Sequence, residues 1–395
     1  MFKSRQFIIG LIVSVLFFAL ALRDIHLDQV WQALLEAEYW VLIPALVLYF
    51  VGVWFRSLRW RILLRPILPR ITLRRTFEVE VIGYMANDIL PARIGELVRA
   101  YVLSLTEGVR KTATLATILV ERIFDGITMV GFAAAAILWV VLRDPDALET
   151  GPGHQFGTLI SNMSVPLMVT TALFLGAIVV FLVVASSPRL MERLATFFFR
   201  FLPDRFRQRA NRLLISFIEG LQSMRSPTSM LAVLGFSVVA WLFEAGMYYV
   251  IGTWGFDLRG TDGQLLPFYV YMLATAGINL ATLIPQGPGF IGVFEAVAMA
   301  VLVGGFGVVR DPALSYVLVL HAALLIPVTL LGFYYMARES MSYRDLVKLE
   351  ETRAEAAEEA HELEGPLTDI ELAQEGIIGG SEAEEQLEEA GERRK

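Results

Sequence analysis

The sequence predicts an all-α, polytopic integral membrane protein with six full spans, two broken or re-entrant hairpins and an inverted-topology repeat. Three observations support this fold class. First, hydrophobic residues make up 56% of the 395-residue chain, charged residues only 18%, and the mean hydropathy is +0.59, which is the composition of a chain embedded in a bilayer. Second, several uncharged apolar runs are long enough to cross a membrane. Third, two further apolar runs are broken by proline and glycine.

The first predicted span is the uncharged run 6–22. Its Ala19-Leu20-Ala21 pattern also fits a cleaved signal peptide, which remains an alternative. Residues 23–38 are expected to form an acidic loop outside the membrane. The second span, 39–55, carries Trp40 and Trp54 at positions suited to an aromatic belt. The remaining predicted spans are 126–142, 164–185, 229–251 and 312–337.

The orientation follows from residues 56–75, which contain seven arginines and no acid. Because positively charged loops stay on the inner side, both termini are predicted to be cytoplasmic in a multi-pass protein of the cell (plasma or inner) membrane. These arginines are expected to serve topology and lipid headgroup contact. Residues 339–395 hold 18 acids and 6 bases, or −12, so with the whole chain at −7 the first 338 residues carry +5. A basic membrane body suits an anionic lipid surface.

Two interrupted stretches are predicted to be the broken hairpins. Residues 76–106 contain several charged side chains, and each would cost about 2.5–3.5 kcal/mol at the centre of a lipid-facing span. A re-entrant pair of helices fits them better. The second stretch, 267–309, has two arms that are each also long enough for a full crossing at about 1.5 Å per residue. Both interpretations of 267–309 remain open.

The order span, span, broken hairpin, span occurs twice, beginning inside in the first half and outside in the second. This pattern predicts an inverted-topology repeat, with a first repeat at 1–155 and a second at 156–337. The second repeat includes interfacial amphipathic helices at 188–225. Residues 338–395 are predicted to be an acidic cytoplasmic tail, largely disordered.

The candidate site lies where the two hairpins break. A helix that restarts after proline presents free amides and a partial positive charge to a phosphate, and arginine can bind a phosphate in a bidentate manner. The predicted substrate-binding residues are Asn87, Arg93, Glu96, Arg99, Arg122, Asn279 and Glu295. The predicted helix-break residues are Pro91, Gly95, Pro285, Pro288, Gly289 and Gly292.

Structural interpretations compete with these functional ones. The first break could be a kinked helix with an internal arginine–glutamate pair. Glu121, Arg122 and Asp125 are expected near the cytoplasmic interface, where an exposed pair costs little. Glu244 is either a proton relay or a packing residue that pairs across helices. His321 is expected to be a satisfied core histidine.

Several of these residues carry a family resemblance. The matching pieces are Arg56-x-x-Arg59-Trp60, Asn87-x-x-x-Pro91-x-Arg93-x-Gly95-Glu96-x-x-Arg99, Glu121-Arg122-x-x-Asp125 and Pro285-x-x-Pro288-Gly289-x-x-Gly292-x-x-Glu295. Across residues 6–337 the chain resembles a flippase-like family built on the transmembrane region of lysylphosphatidylglycerol synthases. The resemblance implies translocation of lipids between leaflets. The synthases add a soluble aminoacyl-transferase domain that has no match here, so we do not expect an enzyme.

The expected function is therefore flippase-like movement of an anionic (glyco)phospholipid or lipid-linked substrate. The expected partners are membrane lipids with anionic headgroups and not nucleic acid. Two alternatives are an ion-coupled small-solute transporter and a membrane transferase acting on a lipid-linked substrate. The sequence has no cysteine, no metal-ligand spacing among its four histidines and no phosphate-binding loop of the G-x-x-x-x-G-K-[ST] type. We therefore expect no metal or cofactor. Any driving force would be a gradient acting through carboxylates such as Glu96, Glu244 or Glu295, or mass action.

Overall fold

The computed structural model describes residues 5–23, 25–90, 94–143, 190, 193, 213–215, 217–221, 226–282 and 287–339. These residues form a bundle of helices and confirm the predicted all-α, polytopic membrane fold. The α-helices are α1 (Arg5–Ala21), α2 (Leu27–Glu36), α3 (Leu42–Leu64), α4 (Leu73–Ile89), α5 (Gly95–Glu107), α6 (Lys111–Arg143), α7 (Pro227–Val250), α8 (Phe268–Ala281), α9 (Val293–Met299) and α10 (Arg310–Arg338).

Five helical stretches are long and apolar enough to cross a membrane: Tyr39–Leu64, Lys111–Trp139, Pro227–Gly255, Pro288–Gly305 and Arg310–Arg338. Four of them contain or overlap predicted spans, and α1, an apolar helix of 17 residues, covers nearly all of the first predicted span. The predicted span 164–185, most of 188–225 and the tail beyond residue 339 lie outside the described residues.

Residues 23–38 differ from the expected acidic loop, because α2 occupies their centre. Leu27, Trp31 and Leu35 are exposed along one side of this helix and Val30 is buried on the other. The spacing of four residues is that of a helix face, a signal that was passed over because the segment was interpreted from its acids at 24, 28, 36 and 38. The His26 amide donates to Asp311 Oδ1 (2.9 Å), which joins the start of α2 to the start of α10.

The first hairpin consists of α4 and α5. The Thr72 hydroxyl caps α4 by accepting from the Arg75 amide. The helix ends at Leu90, whose extended backbone is the conformation expected before a proline. The two arms cross closely at glycines, because a side chain on Gly95 would collide with the Gly83 carbonyl oxygen. Neither arm is among the stretches long and apolar enough to span a bilayer.

The second hairpin consists of α8, a 3₁₀ turn at Pro288–Phe290, α9 and a π-helical turn at Ala300–Gly305. Its break uses left-handed backbone at Gly289 (φ 66°) and Gly292 (φ 96°), which glycine adopts without strain. By length, 288–305 fits a full crossing, whereas α8 with 14 residues is shorter.

The first and last helices of the bundle each pack against the hairpin that is more distant in the sequence. The helix α1 packs against the second hairpin, where Ser14 Oγ accepts from the Gly287 amide (3.0 Å). The helix α10 packs along α4, where Thr329 Oγ1 donates to Asp88 Oδ2 (2.8 Å). Each hairpin is therefore held by a helix from the opposite end of the chain, and the two breaks meet in the middle of the bundle.

Candidate functional site

A polar cavity lies between the two broken hairpins. It encloses about 820 Å³ of empty space, counted out to its open mouth. Both breaks contribute to it, Asn87 and Asp88 from the first and Asn279 and Phe290 from the second. Its polar and charged lining residues are Arg56, Tyr84, Asn87, Asp88, Arg122, Asp125, Glu244, Asn279, Thr282 and His321. Its aromatic lining also includes Tyr49, Trp241, Tyr248, Phe290 and Phe294.

One wall of the cavity is backed by a buried ion-pair network centred on Arg59. This guanidinium donates to Asp125 Oδ1 (2.5 Å), to Glu121 Oε1 (3.2 Å) and to Ser237 Oγ (2.7 Å). Arg59 and Glu121 are fully buried. The network joins α3, α6 and α7, and its charges satisfy one another where water is excluded.

Arg99 extends the network to the first hairpin. Its guanidinium donates to Glu121 Oε2 (2.6 Å) and lies 4.0 Å from Glu80. It also stacks over the Trp60 ring at 3.8 Å from the ring centroid, a favourable cation–π arrangement. Arg99 thus fixes α5 against α3 and α6, and it does not line the cavity.

Arg56 lines the cavity but is already paired. It donates to Glu244 Oε2 (2.5 Å) and lies over Trp241 at 4.1 Å from the ring centroid. Trp241 Nε1 in turn donates to Asp125 Oδ1 (2.8 Å). This pair supplies the cross-helix partner that Glu244 requires.

Two expectations are corrected by this network. Arg56 and Arg59 were expected to serve topology and headgroup contact, but they are buried, because α3 continues to Leu64 instead of ending near residue 55. Glu121 and Asp125 were expected at the exposed interface, but they are buried as well. Charges tolerate this depth here because each has an opposite charge within hydrogen-bond distance.

Arg122 differs from the other interior arginines. It lies on the cavity with 33% of its side chain exposed, and its nearest described carboxylate is Asp125 at 3.8 Å. That distance is too long for a hydrogen bond. Among the described residues, Arg122 makes no hydrogen bond, so its guanidinium retains donors that can bind an oxyanion in the cavity.

The second break is organised by Glu295. Its Oε2 accepts from the Gly292 amide (2.6 Å), which satisfies a free donor at the start of α9, and its Oε1 lies 2.6 Å from His321 Nδ1. The His321 ring stacks on Phe294 at 4.1 Å and lines the cavity. Glu295 is buried behind it.

The predicted site residues therefore divide into groups. Asn87, Arg122, Asn279 and Glu244 lie together on the cavity. Arg99 and Glu295 are buried behind its wall, and Glu96 is half-buried in the first turn of α5. Of the helix-break residues, Gly95 lies against Gly83 and Asn87 of the first arm of its hairpin. Pro288, Gly289 and Gly292 form the second break. Pro91, Arg93 and Pro285 lie outside the described residues.

Several cavity residues were not selected from the sequence. Asp88 counted only as one of the charges that interrupt residues 76–106. Trp241 and Tyr248 lie three residues before and four residues after the selected Glu244, on one face of α7, and this spacing could have identified them. Arg56 and Asp125 carry no such signal, because their exposure to the cavity depends on how distant helices pack.

Together these features define a helical membrane protein with an internal polar cavity formed by two broken hairpins. The chain belongs to the family described as the lysylphosphatidylglycerol synthase TM region, whose model matches residues 7–332.

Three relatives illustrate this family. Glycosyltransferase AglD of Haloferax volcanii is 27% identical over 334 residues, covering 82% of this chain and 52% of that protein. A UPF0104 membrane protein of Methanothermobacter thermautotrophicus is 24% identical over 298 residues, covering 73% of this chain and 82% of that protein. The UPF0104 membrane protein MJ1595 of Methanocaldococcus jannaschii is 28% identical over 149 residues, 37% of this chain and 44% of that protein. The chain thus spans about half the length of AglD.

Proposed function

We propose that this protein moves an anionic lipid, or a lipid-linked substrate with an anionic headgroup, between the leaflets of a membrane. The observation that carries the proposal is Arg122, an arginine on an internal cavity whose guanidinium makes no hydrogen bond among the described residues. An arginine held at membrane depth is expensive unless it pairs with a charge. A phosphate is the partner that its planar fork fits best.

The rest of the cavity suits a polar headgroup. Asn87 and Asn279 place amide groups from the two breaks on the same cavity, and Thr282 adds a hydroxyl. The acyl chains would remain in the bilayer while the headgroup occupies the cavity.

Movement would come from rocking the two hairpin halves about the cavity, so that it opens alternately to the two sides. The family's description names a synthase of a phospholipid. That description supports a substrate that is a membrane lipid or is attached to one.

The test is a lipid accessibility assay in proteoliposomes. Fluorescent phosphatidylglycerol and a fluorescent polyprenyl phosphate are incorporated, and a membrane-impermeant reductant reports how much dye reaches the outer leaflet. We expect the wild-type protein to expose one of these lipids faster than protein-free vesicles. The Arg122→Ala variant should slow this by about tenfold or more, because a hydrogen bond to a charged group contributes roughly 1.5–3 kcal/mol.

The matched control is Arg65→Ala, which removes an exposed arginine at the end of α3, away from the cavity. Lipid movement equal in wild type and Arg122→Ala would remove the proposed role of Arg122. Wild-type protein that moves neither lipid would contradict the proposed function.

The name of AglD also favours a second candidate, a membrane transferase acting on a lipid-linked substrate. Purified protein would be incubated with polyprenyl phosphate and radiolabelled nucleotide sugars, and lipid-linked sugar would be extracted into organic solvent. A radiolabelled lipid product would favour the transferase. Lipid movement without any product would favour the translocator.

A further inference from the structure

Asp88 is a cavity carboxylate that the site described above does not use. It lies at the end of α4, next to the first break, and its Oδ2 accepts from Thr329 Oγ1 (2.8 Å). Four other interior carboxylates, Glu80, Glu121, Asp125 and Glu244, each lie within 4.0 Å of an arginine. Among the described residues, Asp88 has no such arginine or lysine partner.

The charged and titratable groups that line the cavity with Asp88 come from five helices. They are Tyr49 and Arg56 on α3, Tyr84 on α4, Arg122 and Asp125 on α6, Glu244 and Tyr248 on α7 and His321 on α10. Arg56 is paired with Glu244, Asp125 with Arg59, and His321 with Glu295. The two cavity charges without a hydrogen-bonded ion-pair partner are therefore Arg122 and Asp88, within the described part of the chain.

Arg122 and Asp88 place one positive and one negative group on the same cavity. If a phosphate binds Arg122, the cavity gains a negative charge, and a second negative charge on Asp88 becomes unfavourable. Protonation of Asp88 restores the original net charge. Anion binding and proton binding are thus favourably linked, and the linkage must act equally in both directions.

We propose that Asp88 carries one proton with each anionic headgroup. The inference rests on the proposed function and adds its energy source, because movement of headgroup and proton together transfers no net charge. In the step, a carboxylate oxygen of Asp88 takes a proton from water on one side, forming an O–H bond. The bond breaks on the other side and returns the proton to water, with no electron transfer.

The experiment imposes a pH difference across proteoliposomes and measures the final distribution of the fluorescent lipid. With one proton per headgroup, a difference of one pH unit should shift the distribution about tenfold toward the leaflet facing the less acidic solution. Asp88→Asn should abolish this shift, since it keeps an acceptor for Thr329 but cannot exchange a proton. Asp28→Asn, on the exposed side of α2, is the matched control and should behave as wild type.

A second measurement needs no variant. In weakly buffered detergent solution with a pH indicator, adding short-chain phosphatidylglycerol to the wild-type protein should cause proton uptake, and phosphatidylcholine of equal chain length should cause none. Lipid movement that is unaffected by the gradient, or anionic lipid binding without proton uptake, would overturn the coupling while leaving the translocation intact. Absence of any lipid movement would instead overturn the proposed function on which the coupling rests.

Discussion

The two broken hairpins are held in place by different forces. In the first hairpin, side chains stabilise the break. Asn87 Oδ1 accepts from the Gly95 amide (2.7 Å), and Arg99 on the second arm donates to Glu121. In the second, glycines in left-handed conformations make the break, and Glu295 bonds the Gly292 amide and His321. Arg99 joins the first hairpin to α3 and α6 through charge interactions, whereas backbone conformation and the contacts of Glu295 with Gly292 and His321 hold the second.

This difference separates two asparagines that look equivalent in the sequence. Asn87 bridges the break of its hairpin, whereas the Asn279 side chain donates to the Thr275 carbonyl of its own helix (2.9 Å). Asn87 therefore fixes the geometry of the first break. At the second break, among the described residues, Glu295 takes the corresponding role by binding the Gly292 amide, and Asn279 bonds only within its own helix.

The largest effect is expected from removing Arg59, the centre of the buried ion-pair network that holds the first hairpin. Arg59→Met leaves Glu121 and Asp125 buried with a missing partner, and breaking a buried ion pair in this way costs about 3–5 kcal/mol. Thermal unfolding in detergent, followed by size-exclusion chromatography, should show a large loss of stability. Arg65→Met, at an exposed position on the same helix, should stay within about 0.5 kcal/mol of wild type. Equal stability of the two variants would show that the network is not needed.

The next effect compares the glycines of the two breaks. Gly95→Ala forces a side chain against the Gly83 carbonyl and Asn87, which we expect to destabilise the protein by about 1–3 kcal/mol. Gly292→Ala adds backbone strain at φ 96° and a contact with Ser14 of α1, also about 1–3 kcal/mol. Gly304→Ala, which meets nothing within 4 Å, is the control for both, measured by the same unfolding assay.

A smaller effect tests the two asparagines directly. Asn87→Ala leaves the Gly95 amide without its acceptor, at a cost of about 1 kcal/mol. Asn279→Ala should cost less, because the Thr275 carbonyl it contacts lies within a regular helix. Unfolding temperatures of the lipid-free variants would check this order, and a larger loss for Asn279→Ala would contradict the proposed difference between the breaks.

The smallest expected effect is an increase in stability, which serves as a reference for the losses predicted above. Gly131 lies exposed within α6, with nothing within 4 Å of the position of an added side chain. Gly131→Ala should stabilise the protein by about 0.5–1 kcal/mol, because alanine loses less conformational freedom on folding. A loss of stability at this position would mean that the unfolding assay reports something other than helix and packing energetics.

Much of the fold could be predicted because the bilayer imposes strong local rules. Apolar runs located α1, α3, α6, α7 and α10, and proline with glycine located both breaks, since each rule depends on neighbouring residues only. The helix α2 was missed because residues 23–38 were interpreted from their acids and not from the four-residue spacing of Leu27, Trp31 and Leu35. The exact end of α3 was missed because nothing local shows that Arg56 and Arg59 meet carboxylates from other helices.

The candidate site was predictable to a lesser degree. Asn87 and Asn279 lie on the cavity, as their positions at the breaks indicated. The pairing of Arg59 with Asp125, or of Arg56 with Glu244, joins residues 66 and 188 positions apart. Such pairings depend on helix packing, and no short-range pattern in one sequence encodes them.

The exchange of terminal helices between the hairpins has a consequence for biogenesis. Because α1 packs against the second hairpin and α10 against both, neither break is fully covered until both ends of the membrane bundle have been synthesised. The helix α1, which is synthesised first, therefore stays incompletely packed in the membrane until α10 has been synthesised. A chain cut between the halves should therefore accumulate only when both pieces are produced in the same cell.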